Sequence, residues 1–165
     1  MSAQRPVLHI LCGKIAAGKS TLARKLASQP QTVLISEDDW LNHLFADQMT
    51  SISDYVRCSA KLRSVMSEHV ASLLQAGSSV VLDFPANTVE TRKWMLGIVD
   101  QTNADHQLHL LNPPDEVCLE RLRQRNATGD HPFAVTEEQF HQITQHFAPP
   151  SSDEGFHVVP HQEQT

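Results

Sequence analysis

The sequence predicts an α/β fold: three layers, α/β/α, around a five-stranded parallel sheet. Three observations predict it. Short apolar runs of strand length recur along the chain, segments with helical periodicity separate them, and turn-forming or capping residues stand at the joints. Parallel strands need long, usually helical, crossovers, so this alternation implies a sheet covered on both faces. No internal repeat or low-complexity tract breaks the pattern, and residues 1–165 read as one domain of ordinary size.

Taken in order, "PVLHILC" (6–12) is the first strand, and residues 19–28 place Leu22, Ala23, Leu26 and Ala27 on one helical side. "TVLIS" (32–36) is the second strand, followed by "SEDDW" (36–40), where tandem acids suit a helix start. Residues 51–76 carry a long stripe of Ile52, Val56, Leu62, Met66, Val70, Leu73 and Leu74, with Gly77 in a helix-stop position. "SSVVLDF" (78–84) is the third strand; Asn87 with Glu90 has the form of a capping box for the next helix. "HQLHLL" (106–111) is the fourth strand, and "NPPDEV" (112–117) opens another helix. Thr136 with Gln139 repeats the capping-box form, "APPSSDEG" (148–155) is a link, and "FHVV" (156–159) is a weaker fifth strand. Residues 161–165 read as a frayed tail.

Composition narrows the function classes. Forty per cent hydrophobic and 19% charged residues are ordinary for a globular protein, and no run approaches the ~18 apolar residues of a membrane span. The N-terminal apolar run leads into a glycine-rich loop rather than a cleavage site, so a cytoplasmic protein is expected. A net charge of -6 and a pI near 5.9 disfavour general nucleic-acid binding. Cys12, Cys58 and Cys118 are odd in number and widely spaced, which argues against a disulfide framework or structural zinc.

"GKIAAGKST" (13–21) carries the chemistry. Gly13, Gly18, Lys19 and Ser20 match GxxxxGK[ST], with a strand before and a helix after, as a phosphate-binding loop requires. The backbone amides from Gly13 through Lys14, Ala16, Ala17 and Gly18 to Thr21 would turn inward toward phosphates, aided by the positive end of the following helix. Lys19 would reach the β- and γ-phosphates, and Ser20 would ligate Mg²⁺. The fold implied is the P-loop NTPase fold, and the cofactors implied are ATP and Mg²⁺.

What becomes of the nucleotide depends on other residues. Asp83 ends a "VVLD" strand, the position of a Mg²⁺-side acid, but Phe84 stands where motor ATPases usually carry a second acid. Asp38 or Asp39 can project from the carboxyl end of the second strand and take the proton of an acceptor hydroxyl; helix capping is the competing role. Arg121 and Arg125 share a helix face without an acid at i−4 and suit a transferring phosphoryl group or, alternatively, a solvated helix end. Residues 126–135 read as a short lid. His106 and His109, three apart on a strand, point to opposite faces and cannot chelate one ion. Trp40 and Trp94 suit core or pocket wall; Arg57 and Lys61 suit a solvated face or an acceptor cleft.

Together the GKS loop, "SED" (Ser36 to Asp38), "VVLDFPANTVETR" (80–92) and "RLRQR" (121–125) resemble small P-loop kinases of the polynucleotide kinase, chloramphenicol phosphotransferase and zeta-toxin group. The likeness is nearest to bacterial "AAA family ATPase" or zeta-toxin-like kinases of similar length. It implies Asp38 as base ahead of Asp39, Arg121 and Arg125 as lid arginines, and Asn87 and Arg92 on the acceptor side. Several relatives have an acceptor-holding Arg three positions after the base; Leu41 stands there, which turns the reading away from nucleic-acid or phosphate-bearing acceptors. The expectation is a kinase of a small-molecule hydroxyl, monomeric or homodimeric. The alternatives are a toxin-like nucleotide-sugar kinase and a nucleotide-hydrolysing or sensing module with a protein partner.

Overall fold

The computed structural model describes residues 4–129 and 134–161. Five parallel strands, β1 (Val7–Cys12), β2 (Thr32–Ser36), β3 (Ser79–Asp83), β4 (Asp105–Leu111) and β5 (Val158–His161), run in the order β2-β3-β1-β4-β5. Six helices connect them: α1 (Lys19–Ala27), α2 (Glu37–Phe45), α3 (Ile52–Gln75), α4 (Val89–Thr102), α5 (Asp115–Thr128) and α6 (Glu137–Thr144).

Alternation along β1 divides the core. Leu8, Ile10 and Cys12 point to one face, beneath Cys58, Leu62 and Met66 of α3 and Met95 and Ile98 of α4. Leu11 points to the other, where Val81 of β3 meets Ala23, Leu22 and Leu26 of α1. A third cluster packs Ala17 of the loop after β1 against Cys118 and Leu122 of α5 and Phe140 of α6. The glycine-rich loop thus rests on a packed platform at the carboxyl edge of the sheet. Ser36 pairs with Asp83 in register, so the ends of β2 and β3 deliver their polar residues side by side.

Local differences from expectation have physical reasons. Helix α4 is capped by Thr88, which accepts from the Thr91 amide; Asn87 does not cap it, because its carboxamide is used elsewhere. Val56 is 56% exposed and leaves the α3 stripe, whose buried side is Leu62, Met66, Val70 and Leu74. Strand β5 lies two residues beyond its expected start and includes His161, so the tail does not fray there. Helix α5 runs through Thr128 and ends at Gly129 with φ 68, so the first residues assigned to the lid are helical; residues 130–133 of that lid lie outside the described residues. The Thr136–Gln139 capping box forms as the spacing predicts.

Candidate active site

The loop is built from close approach. A Cβ at Gly13 would stand 2.7 Å from the Leu111 carbonyl, so only glycine fits where β1 and β4 end together. Gly18 has φ 103 and opens α1 without a side-chain cap, leaving the first amides of the helix facing the loop. Ala16 also takes a left-handed conformation, φ 62. Lys19 Nζ donates to the carbonyls of Gly13 (2.5 Å) and Lys14 (2.8 Å), which hold it across the loop. The Lys14 side chain does not face the loop's interior; it pairs with Asp115 at 2.6 Å and lies over the Phe147 ring.

Charged groups converge above this loop. The Ser20 hydroxyl lies 3.4 Å from Asp83 Oδ2. Burial lowers the Lys19 pKa, and Asp83 and Asp38 oppose that shift. Burial raises Asp83, with Lys19 pulling it down and Asp38 and Asp39 pushing it up. Arg125 of α5 is lowered by burial, and the charge of Asp38 opposes that shift. Its Nε is buried without a hydrogen-bond partner, a charged donor held away from water. Asp38 of α2 is therefore within electrostatic reach of Lys19 of α1, Asp83 of β3 and Arg125 of α5, groups supplied by four elements.

Two acceptor-side expectations are corrected. Arg92 is fully buried and committed: Nε donates to Glu154 at 2.8 Å, and Nη1 donates to the carbonyls of Ala86 (3.0 Å) and Ala148 (2.7 Å). It ties the segment after β3 to the link before β5 and cannot meet an acceptor. Asn87 braces the loop instead: its Oδ1 accepts from the Gly13 amide at 2.9 Å and its Nδ2 donates to the Gly13 carbonyl at 2.8 Å. Asp39 stays exposed in the first turn of α2, its amide donating to the Ser36 hydroxyl that caps the helix.

A cleft of about 750 Å³ opens on the β4–β5 side, walled by Gly18, Thr21, Leu22, Lys25, Asn112, Arg121, Pro160 and His161. Arg121 reaches the loop itself: Nη1 would lie 3.8 Å from a Cβ at Gly18. His161, in that wall, ends a chain of three imidazoles. His9 Nδ1 lies 3.0 Å from His109 Nε2, and His109 Nδ1 lies 2.8 Å from His161 Nε2. The chain runs diagonally across β1, β4 and β5 on the α1 face. The rings satisfy one another, and no described group of three His, Cys, Asp or Glu side chains could hold a metal ion.

A family model described as "AAA domain" matches residues 8–150. The chain belongs to that family. Among solved structures, the AAA-domain chain is similar to a presumed kinase from Chloroflexus aurantiacus, at 23% identity and TM-score 0.73 over 95% of this chain and 85% of that one. It is similar to Kti12 of Chaetomium thermophilum, solved with ADP-AlF3, at 14% identity and TM-score 0.68 over 94% and 89%. It is also similar to the APS kinase of Mycobacterium tuberculosis, solved with AMPPNP and APS, at 21% identity and TM-score 0.63 over 97% and 91%. At these identities the likeness shows the P-loop fold. No curated protein matches the chain. Among the described residues no helix is long and apolar enough to cross a membrane.

Several residues of this AAA domain's site escaped the sequence pattern. Lys25, Asn112 and the Pro160–His161 pair come from three separate segments and have no shared spacing. The match itself ends at residue 150, before β5. A pairing of His9 with His109 across 100 positions leaves no periodic signal. Buried Glu37, one position before Asp38, was hidden because a carboxylate in a first helical turn is ordinary surface chemistry.

Proposed function

We propose that this AAA domain is an ATP- and Mg²⁺-dependent phosphotransferase that moves the γ-phosphate to a hydroxyl of a small-molecule acceptor. The observation that carries the reading is the convergence of Lys19, Asp83, Asp38 and Arg125 above a glycine loop, with the Arg125 Nε buried and unpaired. A buried orphan donor within electrostatic reach of a carboxylate suits a dianionic phosphoryl group. The base of the nucleotide would lie in the cleft between Arg121 and the Pro160–His161 edge.

The residues fit Mg²⁺. Ser20 and Asp83 offer two hard oxygen donors close together, and Asp83 is raised by burial and acidic neighbours, a state that a divalent cation would relieve. Mg²⁺ commonly takes only one or two protein ligands and completes its shell with phosphates and water. When bound it would offset charge on the phosphate oxygens. In the same reading Lys19 holds the β- and γ-phosphates, the loop amides fix the triphosphate tail, and Asp38 orients the acceptor hydroxyl and receives its proton. Arg121 and Arg125 close on the transferring group. Phe84, fully buried after Asp83, supplies no second acid for activating water, which favours transfer over hydrolysis.

The test is ADP release from MgATP across a panel of hydroxyl-bearing metabolites, nucleotide sugars included. One class should accelerate slow basal turnover. Asp38→Asn should lower the accelerated rate by roughly 10²–10⁴-fold with nucleotide affinity nearly unchanged, while Lys19→Ala should lose nucleotide binding. Rapid turnover without any acceptor, indifferent to Asp38→Asn, would instead favour a hydrolysing module.

A further inference from the structure

Glu37 stands in the first turn of α2 with only 3% of its surface exposed, an unusual place for a carboxylate. Two hydroxyls of α3 reach it: Tyr55 donates to Oε1, and Ser59 donates to Oε2 at 2.8 Å. Neither α3 residue belongs to the phosphate loop or to the family-like motifs. Asp38 follows Glu37 directly, so whatever fixes the Glu37 backbone fixes the origin of the Asp38 side chain. The Ser36 cap also holds this turn, its hydroxyl accepting from the Asp39 amide at a long 3.3 Å.

We propose that Glu37, clamped by Tyr55 and Ser59, is the positioning residue of Asp38. This rests on the phosphotransferase reading and deepens it. An ionised Glu37 accepts two charge-assisted hydrogen bonds, which fix the direction of the first turn of α2 against α3. A protonated Glu37 costs less to bury but is a weaker acceptor at both oxygens, so the two hydroxyls aim the turn that carries Asp38 with less accuracy. The groups that face Glu37 are Tyr55, Ser59 and Arg63 of α3 and Asp38 of its own helix. Burial raises the Glu37 pKa to about 7, Tyr55 and Ser59 work against that rise, Asp38 adds to it and Arg63 offsets it. The clamp therefore aims Asp38 with less accuracy as pH falls through about 7, and phosphoryl transfer should gain an acid limb there.

The experiment measures MgATP turnover of the full chain as a function of pH, with water as the acceptor, for wild type, Glu37→Gln, Tyr55→Phe, the double variant and Asp38→Asn. Glu37→Gln keeps the shape and removes the titration. Turnover should fall about tenfold with KM for MgATP unchanged, and the limb near pH 7 should disappear. Tyr55→Phe should fall less and add little in the double variant, because both changes act on one clamp. It also carries the test should Glu37→Gln fail to fold. Wild-type turnover and limb in Glu37→Gln would overturn the proposal. So would a loss of turnover with the limb retained, which is what a merely structural role predicts. If Asp38→Asn leaves turnover intact as well, the phosphotransferase reading falls with it, and the two failures are told apart.

Discussion

Two polar clusters flank the phosphate loop, and their pKa values move in opposite directions. On the β2 side, Glu37 is enclosed by Tyr55 and Ser59, and burial raises its pKa to about 7. On the β5 side, His9, His109 and His161 satisfy one another, and burial lowers all three, His109 to about 4. Both clusters prefer the neutral form because packing keeps water from Glu37 and His109 and limits it at His9 and His161. For a carboxyl that means holding a proton, and for imidazoles it means refusing one. The loop between them is built mainly of backbone amides, which do not titrate, and its Lys19 is lowered by burial against the pull of Asp83 and Asp38.

The largest effect should come from detaching one side. Arg92 joins the Ala86 carbonyl after β3 to Glu154 and the Ala148 carbonyl of the link that leads to β5, so it braces the histidine side without touching Glu37. Arg92→Met keeps the volume but strands a carboxylate and two carbonyls. Breaking a buried pair in this way costs about 3–5 kcal/mol. Thermal unfolding should drop by roughly 10 °C, and affinity for a fluorescent ATP analogue should weaken as the Pro160–His161 wall loosens. A variant with wild-type melting temperature would show that β5 is held by its ladder with β4 alone.

The pH dependence of stability separates the two sides directly. Glu37 is raised from an unfolded value of 4.5, so its contribution is complete below pH 4.5 and is lost as pH rises through about 7. The swing is on the order of 3 kcal/mol. The histidines are lowered from 6.5, so their contribution is complete above pH 6.5 and is lost as pH falls, for His109 through about 4. Between these limits the slopes oppose one another. Glu37→Gln should therefore make stability rise with pH relative to wild type, and His109→Gln should make it fall. Urea unfolding at pH 5 and 7.5 checks both. Parallel profiles for the three proteins would mean that neither cluster titrates as its burial implies.

The two sides also differ in how far they could be read from sequence. β1, β2, β3 and β4 follow from apolar runs, and the loop follows from four residues at fixed spacing, because backbone geometry demands glycine and a helix start at set positions. Asp38 and Arg125 sit where strand ends and helix faces imply. Asn87 and Arg92 were recognisable as special, yet their partners were not: Gly13 is 74 positions from Asn87, and Glu154 is 62 from Arg92. A polar side chain's role depends on what the fold brings to it, and neither periodicity nor motif encodes that. Glu37 and the three histidines are extreme cases, since their significance is burial itself.

The smallest effect belongs to the loop between the clusters and should be independent of both. Ala16 holds φ 62, a region where a Cβ crowds the following carbonyl and costs about 1 kcal/mol. Its methyl group packs against the cluster formed by Ala17, Cys118 and Leu122, which returns part of that strain. Ala16→Gly removes the crowding but frees the unfolded chain and gives up the methyl contact. The net gain should be about 0.5 kcal/mol, read as a rise of 1–2 °C in melting temperature. Ala16→Val, branched at Cβ, should move it the other way by more. Neither shift should change between pH 5 and 7.5, because no titrating group takes part. A pH-dependent increment would mean that the loop is coupled to one of its flanking clusters, and comparing its sign with those of Glu37→Gln and His109→Gln would say which.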